Sequence, residues 1–175
     1  MDTRNIIDYY KYWQQDAILA DLDTKRHNFS ILCSNVGHDF NLGSIVRAGN
    51  AFLAKEVVIY GRKKYDRRGC VGTQNYTHFK HVRETDNLAA LFAEFDLVVG
   101  IDNIPGAEPI EEFEWSPNVK TLICFGQEQI GLPQEVISKC HKLLYICQYG
   151  SVRSLNVGCA SAIVMYDYVK KCRKE

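Results

Sequence analysis

The chain has 175 residues, 46% of them hydrophobic, enough to bury one substantial core but short for two domains and a linker. Lys and Arg balance Asp and Glu at 21 each, so any contact with nucleic acid has to come from a local basic patch, not from net charge. No apolar run reaches signal-peptide or membrane-span length, and the seven cysteines form no C-x-x-C pair, so the expectation is a soluble, cytoplasmic protein with reduced thiols.

Ile6, Tyr9, Tyr10, Trp13, Ala17 and Ala20 recur at intervals of three and four, which predicts one helix from Ile6 to about Lys25, an N-terminal extension (residues 1–28) packed on the unit 29–175. Phe29 to Cys33 reads as a buried strand, Leu42 to Leu53 as a helix, and Glu56 to Tyr60 as the next strand. A long polar excursion from Arg62 to Thr77 precedes a strand around His78 to Val82. A helix from Asp86 to about Glu94 leads to a strand at Asp96 to Ile101, and the acidic stretch from Asn103 to Asn118 reads as a surface loop. Thr121 to Phe125 and Leu143 to Cys147 complete six strands, separated by a helix from Pro133 to Cys140 and followed by a last helix from about Ser154 to Lys171. Strands and helices alternate in this order, so the predicted class is α/β, a mainly parallel sheet covered on both faces.

Polar residues cluster at three strand-to-helix turns, where α/β proteins bind ligands: Asn35 to Arg47, Phe125 to Leu132, and Gln148 to Asn156. Gly126 and Gly131 have phosphate-loop spacing, but Leu132-Pro133 stands where that loop needs Lys and Ser or Thr. No G-x-G-x-x-G follows the first strand, the five histidines lack metal-ligand spacing, and Ser154 with His141 forms no nucleophile elbow.

Taken together, the three turns resemble the three motifs of the SpoU/TrmH-type RNA 2′-O-ribose methyltransferases of the SPOUT superfamily, in the same order, from about Phe29 to Lys170. Motif one is matched by Asn35, Asn41, Gly43 and Arg47. Motif two is matched by Gly126, Glu128, Gly131 and Leu132, and motif three by Ser154-Leu155-Asn156 followed by Gly158, Ala160, Ser161 and Ala162. Two positions depart from the pattern: Ile146-Cys147-Gln148 replaces Ile-Pro-Met, and Leu53 stands where the family has glycine after Ala-Phe.

The resemblance implies a C-terminal trefoil knot, an exception to ordinary chain topology, and S-adenosylmethionine as cofactor, held around Val99, Gly100, Gly126, Ile146 and Leu155. It implies methyl transfer to a ribose 2′-hydroxyl of tRNA or rRNA without a metal, with Arg47 assisting at the hydroxyl and Asn41, Glu128, Ser154 and Asn156 orienting the groups. Whether Arg47 removes the proton or stabilises the developing alkoxide is open, as is whether Glu128 and Asn156 act on substrate or brace loop and helix. Small residues in the last helix suit the family's homodimer and equally a tight core. Arg62, Lys63, Lys64, Arg67 and Arg68, against Asp66 alone, are the expected RNA contact, with Tyr65 and Tyr76 for stacking. Two alternatives stand beside this reading: a noncatalytic knotted RNA-binding protein, and a related methyltransferase acting on a base or on the tRNA wobble ribose.

Overall fold

The computed structural model describes residues 4–35, 41–128 and 130–173. Seven parallel strands form one sheet among them: β1 (Phe29–Asn35), β2 (Val57–Gly61), β3 (Phe79–Val82), β4 (Leu97–Ile101), β5 (Glu108–Pro109), β6 (Thr121–Phe125) and β7 (Lys142–Tyr145). Their order is β3-β2-β1-β6-β4-β7-β5. Five helices accompany them: α1 (Gln15–Asp23), α2 (Leu42–Ala51), α3 (Leu88–Phe92), α4 (Gln134–Ile137) and α5 (Val157–Cys172).

The central strands β1, β2, β4 and β6 are largely apolar on both faces, and both faces are covered. Ile31, Cys33, Val57, Ile123 and Phe125 point to the side covered by α2 and α5, where they meet Leu42, Ile45, Val164, Met165 and Tyr168. Leu32, Val58, Val98, Leu122 and Cys124 point to the other side, against Leu88, Leu91 and Phe92 of α3 and Val136 of α4. Four of the seven cysteines are buried within these layers and all are free thiols; Cys159 alone is exposed.

Three expectations are corrected. The sheet has seven strands, not six, because Glu108–Pro109 pairs with Leu144 and Tyr145 of β7. That pairing lies inside the stretch expected to be a surface loop, which also buries Ile110 and Trp115; the indole donates to the Asp167 carboxylate at 2.8 Å, and Lys171 donates to the carbonyls of Ile110, Glu111 and Phe113. Its acidic residues mask a few anchors too sparse for any periodicity. Finally, the N-terminal helix is not continuous. A 3₁₀ turn at Asp8–Tyr10 precedes α1, and α1 buries Ile18 against Tyr10 and Tyr76, leaving Ala17 and Ala20 exposed. Alanine fits either face of a helix, so its spacing carried little information.

The 62–77 excursion is ordered by short 3₁₀ turns at Arg68–Cys70 and Thr73–Tyr76. Asn35, buried at the end of β1, donates its amide to the carbonyls of Arg62 and Lys64 and so pins the start of the segment. Farther along, the backbone of Asp66 and Gly69 passes so close to α2 that a Cβ on Gly43 would lie 2.9 Å from each. Glycine at 43 is therefore what lets the basic segment lie on α2. Arg47 is exposed one helical turn beyond that contact.

α2 ends with Leu53 at φ 55°, in the left-handed region. A side chain there crowds the following carbonyl, which costs about 1–2 kcal/mol in an L-residue and explains the preference for glycine just past a helix. Leu53→Gly is expected to stabilise the fold by about 0.5–1 kcal/mol once the extra freedom of the unfolded chain is deducted. Thermal melts of both proteins test this; a lower midpoint for the variant would mean that Leu53 packing outweighs the backbone strain.

Candidate functional site

The carboxyl ends of β4, β6 and β7 open into a pocket of about 180 Å3, continuous with solvent. Gly126, Glu128, Ile146, Ser154 and Leu155 line it, together with Ile101, Asp102, Asn103 and Gln148. Backbone hydrogen bonds join Gln127 and Gly131 across the turn after β6, from Gln127 N to Gly131 O at 3.0 Å and back at 2.8 Å. The turn is so tight that a Cβ on Gly126 would lie 2.1 Å from the Gly131 carbonyl carbon. The sequence suggests glycine here for the approach of a cofactor; the closer constraint is the approach of the protein's own chain. Asp102 closes the turn from the side by accepting from Leu132 N at 2.8 Å. Asn103 reaches the next loop by donating to Arg153 O at 3.4 Å.

A chain of side-chain hydrogen bonds links all three motif turns. Asn156 is the N-cap of α5, its Oδ1 accepting from Gly158 N at 2.9 Å and Cys159 N at 3.2 Å. Because that oxygen serves the cap, the Nδ2 group faces outward and donates to Asn41 Oδ1 at 2.9 Å. The Asn41 amide is oriented in turn, and its Nδ2 donates to Glu128 Oε2 at 2.9 Å. Residues 87 and 115 positions away from Asn41 are thereby held on one carboxamide. Neighbouring backbones are packed to match: a Cβ on Gly158 would lie 3.1 Å from the Ser44 Cβ, so α5 rests directly on α2.

Of the expected catalytic residues, Asn41, Glu128 and Asn156 are joined, Ser154 lies exposed on the pocket wall, and Arg47 is exposed on α2. Residues 36–40 of the first motif lie outside the described residues. Gly126, Ile146 and Leu155 line the pocket, whereas Val99 and Gly100 lie beneath it in the core: a Cβ on Gly100 would meet Leu143, Leu132 and Cys140 within 3.0 Å. The last residue of β4 and the two that follow it, Ile101 to Asn103, form that wall instead. The tendency of ligands to sit beyond parallel strand ends is the signal that favours them.

Gln148 stands out in the sequence only as a departure from the family pattern. Its Oε1 is buried without a hydrogen-bond partner among the described residues, in a wall that also carries Ile146, Leu155 and Val157. Apolar walls and a free acceptor fit a flat ring bearing an amino group, as the adenine of S-adenosylmethionine does. His141 has a structural part, its Nδ1 accepting from Val98 N at 2.9 Å. Among the described residues no cluster of three or more His, Cys, Asp or Glu is placed to hold a metal, and no helix is long and apolar enough to cross a membrane.

In the basic segment, Arg62, Lys63, Lys64, Arg67 and Arg68 are all exposed. Arg68 forms a forked pair with Asp66, with Nε and Nη2 at 2.9 and 2.6 Å from Oδ2. Tyr65 is half-buried, and burial raises its pKa well above the ordinary phenol value. Tyr76 is buried against Tyr10 and Ile18, which removes it from the expected stacking surface.

The chain is 28% identical over 165 residues to a tRNA (cytidine-2'-O-)-methyltransferase, TrmJ, of Methanocaldococcus jannaschii, covering 83% of this chain and 70% of that one. It is 24% identical over 150 residues to the tRNA (guanosine(18)-2'-O)-methyltransferase of Escherichia coli K12, covering 83% of this chain and 65% of the relative. Its fold matches the crystal structure of the SpoU methyltransferase AviRb from Streptomyces viridochromogenes in complex with AdoMet, with a TM-score of 0.71 and 23% identity over 83% of this chain and 58% of that one. The chain thus spans less than two thirds of the last two proteins. The model of the SpoU rRNA Methylase family matches residues 28–166, and by that match the chain belongs to this family.

Proposed function

We propose that this chain transfers the methyl group of S-adenosylmethionine to a ribose 2′-hydroxyl of tRNA or rRNA. The observation that carries the reading is the Glu128–Asn41–Asn156 chain, which gathers the three motif turns at the mouth of one pocket. Names of the relatives support the reaction class and the choice of RNA. The AviRb complex supports the cofactor.

When bound, the cofactor supplies an electrophilic methyl on a sulfonium centre, so no metal is required. Gly126, Ile146 and Leu155, with Ile101 and Gln148, would hold it, the Gln148 side-chain oxygen accepting a hydrogen bond from its amino group. Glu128, Asn41 and Asn156 are positioning residues, each with a partner that fixes its orientation. Arg47 faces the ribose, where a guanidinium that stays protonated stabilises the alkoxide developing on the 2′-oxygen. Ser154 orients the substrate at the pocket wall. The basic segment lies against α2 and neutralises RNA phosphates beside Arg47.

The same reading takes residues 1–28 as an extension on a single domain, 29–175, with the trefoil knot in the turns after β4, β6 and β7. It places the protein in the cytoplasm as a homodimer. Ile163 and Tyr166 of α5, 42% and 57% exposed on a helix rich in small residues, support a second copy there. Digestion of methylated RNA to nucleosides, followed by mass analysis, tests the reaction: the product carries the label on ribose. Label on a base would move the chain to another branch of the superfamily, and no label in any cellular RNA would make it a binding protein.

Three variants test the assignments. Arg47→Ala is expected to keep fold and cofactor affinity while losing ~10²-fold or more in turnover; near-normal single-turnover rates would remove Arg47 from the reaction. Gly126→Ala is expected to force apart the Gln127–Gly131 bridge and weaken cofactor binding about fivefold or more. Calorimetry on folded variant measures it, and unchanged affinity would place the cofactor elsewhere. Replacing Arg67 and Arg68 together by Ala is expected to weaken RNA binding and lower its logarithmic salt slope by roughly one for each phosphate that is no longer neutralised. Identical slopes from titrations at several salt concentrations would leave the segment a solvated charged loop.

A further inference from the structure

A second cavity lies towards the β3 edge of the sheet, between β2, the edge strand β3 and the basic segment. Its lining includes Lys63, Tyr65, Arg67, Gln74, Phe79 and His81. The walls are preformed. Asn50 and Arg26 donate to the carbonyl of Tyr76, Thr77 Oγ1 donates to Thr73 O and Thr73 Oγ1 to Cys70 O, which fixes the turn carrying Gln74. His81 is fixed by its Nε2 at 2.8 Å from Gly61 O.

Three features of this cavity converge on one ligand chemistry. Phe79 keeps 40% of its surface exposed although it packs on Tyr65 with ring centroids 6.4 Å apart, so an aromatic surface is offered to solvent at a sheet edge. Gln74 Oε1 is buried and has no hydrogen-bond partner among the described residues, a costly arrangement that an incoming N–H donor relieves after a small rotation of the amide. Lys63 and Arg67 are exposed cations at the same cavity. A flat ring, an amino group and flanking negative charge together describe a nucleotide.

We propose that this cavity captures one unstacked base of the RNA that carries an exocyclic amino group, at a position distinct from the nucleotide that is methylated. The base stacks on Phe79, its exocyclic amino group donates to Gln74 Oε1, and the adjoining phosphates lie against Lys63 and Arg67. Uracil offers that acceptor no amino group, only a ring N–H flanked by two carbonyls that the Gln74 oxygen repels. Base capture of this kind selects RNA by a single-stranded nucleotide beside the target, as stacking and edge recognition do in single-strand readers. The inference rests on the reading of the chain as an RNA methyltransferase.

The test is fluorescence anisotropy of the full chain with labelled oligo(A), oligo(C), oligo(U) and an abasic oligomer of equal length. The wild type is expected to prefer oligo(A) and oligo(C). Gln74→Leu, which removes an unpaired buried acceptor and so leaves the fold intact, is expected to abolish that preference. Phe79→Ala is expected to weaken every base-bearing oligomer roughly fivefold or more and leave the abasic one unchanged. Equal affinities for all four oligomers, insensitive to both variants, would overturn base capture even where the Arg67 and Arg68 replacement still changes the salt slope. Binding of none of the oligomers would overturn it together with the RNA reading. AMP binding as tightly as oligo(A) would assign the cavity to a free nucleotide and overturn it as well.

Discussion

The cap on α5 is the interaction on which the rest of the site depends. A helix N-terminus leaves N–H groups without intrahelical partners, and Asn156 Oδ1 takes the first available of them, those of Gly158 and Cys159. One amide has one oxygen and one nitrogen, so this choice forces its Nδ2 towards Asn41, and Asn41 in turn towards Glu128. An ordinary local requirement of helix termination thus sets the orientation of polar groups at three distant turns. For Asn156 the cap and the link to the other motif turns are not alternatives, because one side chain makes both sets of hydrogen bonds.

Close backbone approach is the second constraint, and three motif glycines mark where it occurs. Gly43 admits the basic segment to α2, Gly126 admits the returning turn at Gly131, and Gly158 admits α2 to α5. Each contact is within the protein, so these glycines serve the architecture that makes a pocket before they serve any ligand. Polar stitches at Asp102, Asn103 and Asn35 then fix the loops that the glycines bring together. Rigid loops at strand ends are what a transfer reaction needs, since alignment of the reacting atoms supplies much of the rate.

The pocket and the basic segment are separated along the sheet but share the face covered by α2 and α5. The pocket after β4, β6 and β7 lies on one side of the sheet's centre, and the basic segment after β2 lies on the other. α2 spans the two, with Asn41 at its N-terminus beside the pocket and Gly43 against the basic segment. Arg47 lies exposed on the same helix, one turn beyond the Gly43 contact.

What the sequence by itself determined was local. Buried strands, helix spacing and polar turns were legible because their signals lie within ten or so neighbouring residues, and the strand ends named the three segments that the fold gathers. The ordered motifs identified Asn41, Glu128 and Asn156 without any knowledge of distance. Tertiary structure alone decided the partners: which oxygen of Asn156 serves the helix, that Ile101 to Asn103 and not Val99 and Gly100 face the pocket, and that Trp115 turns an acidic loop into part of the core. It also decided that the alanines of α1 face outward and that Tyr76 is buried. The physical reason is the same throughout: burial and hydrogen bonding are satisfied between residues far apart in the chain, and no periodicity within a segment encodes what the segment will meet.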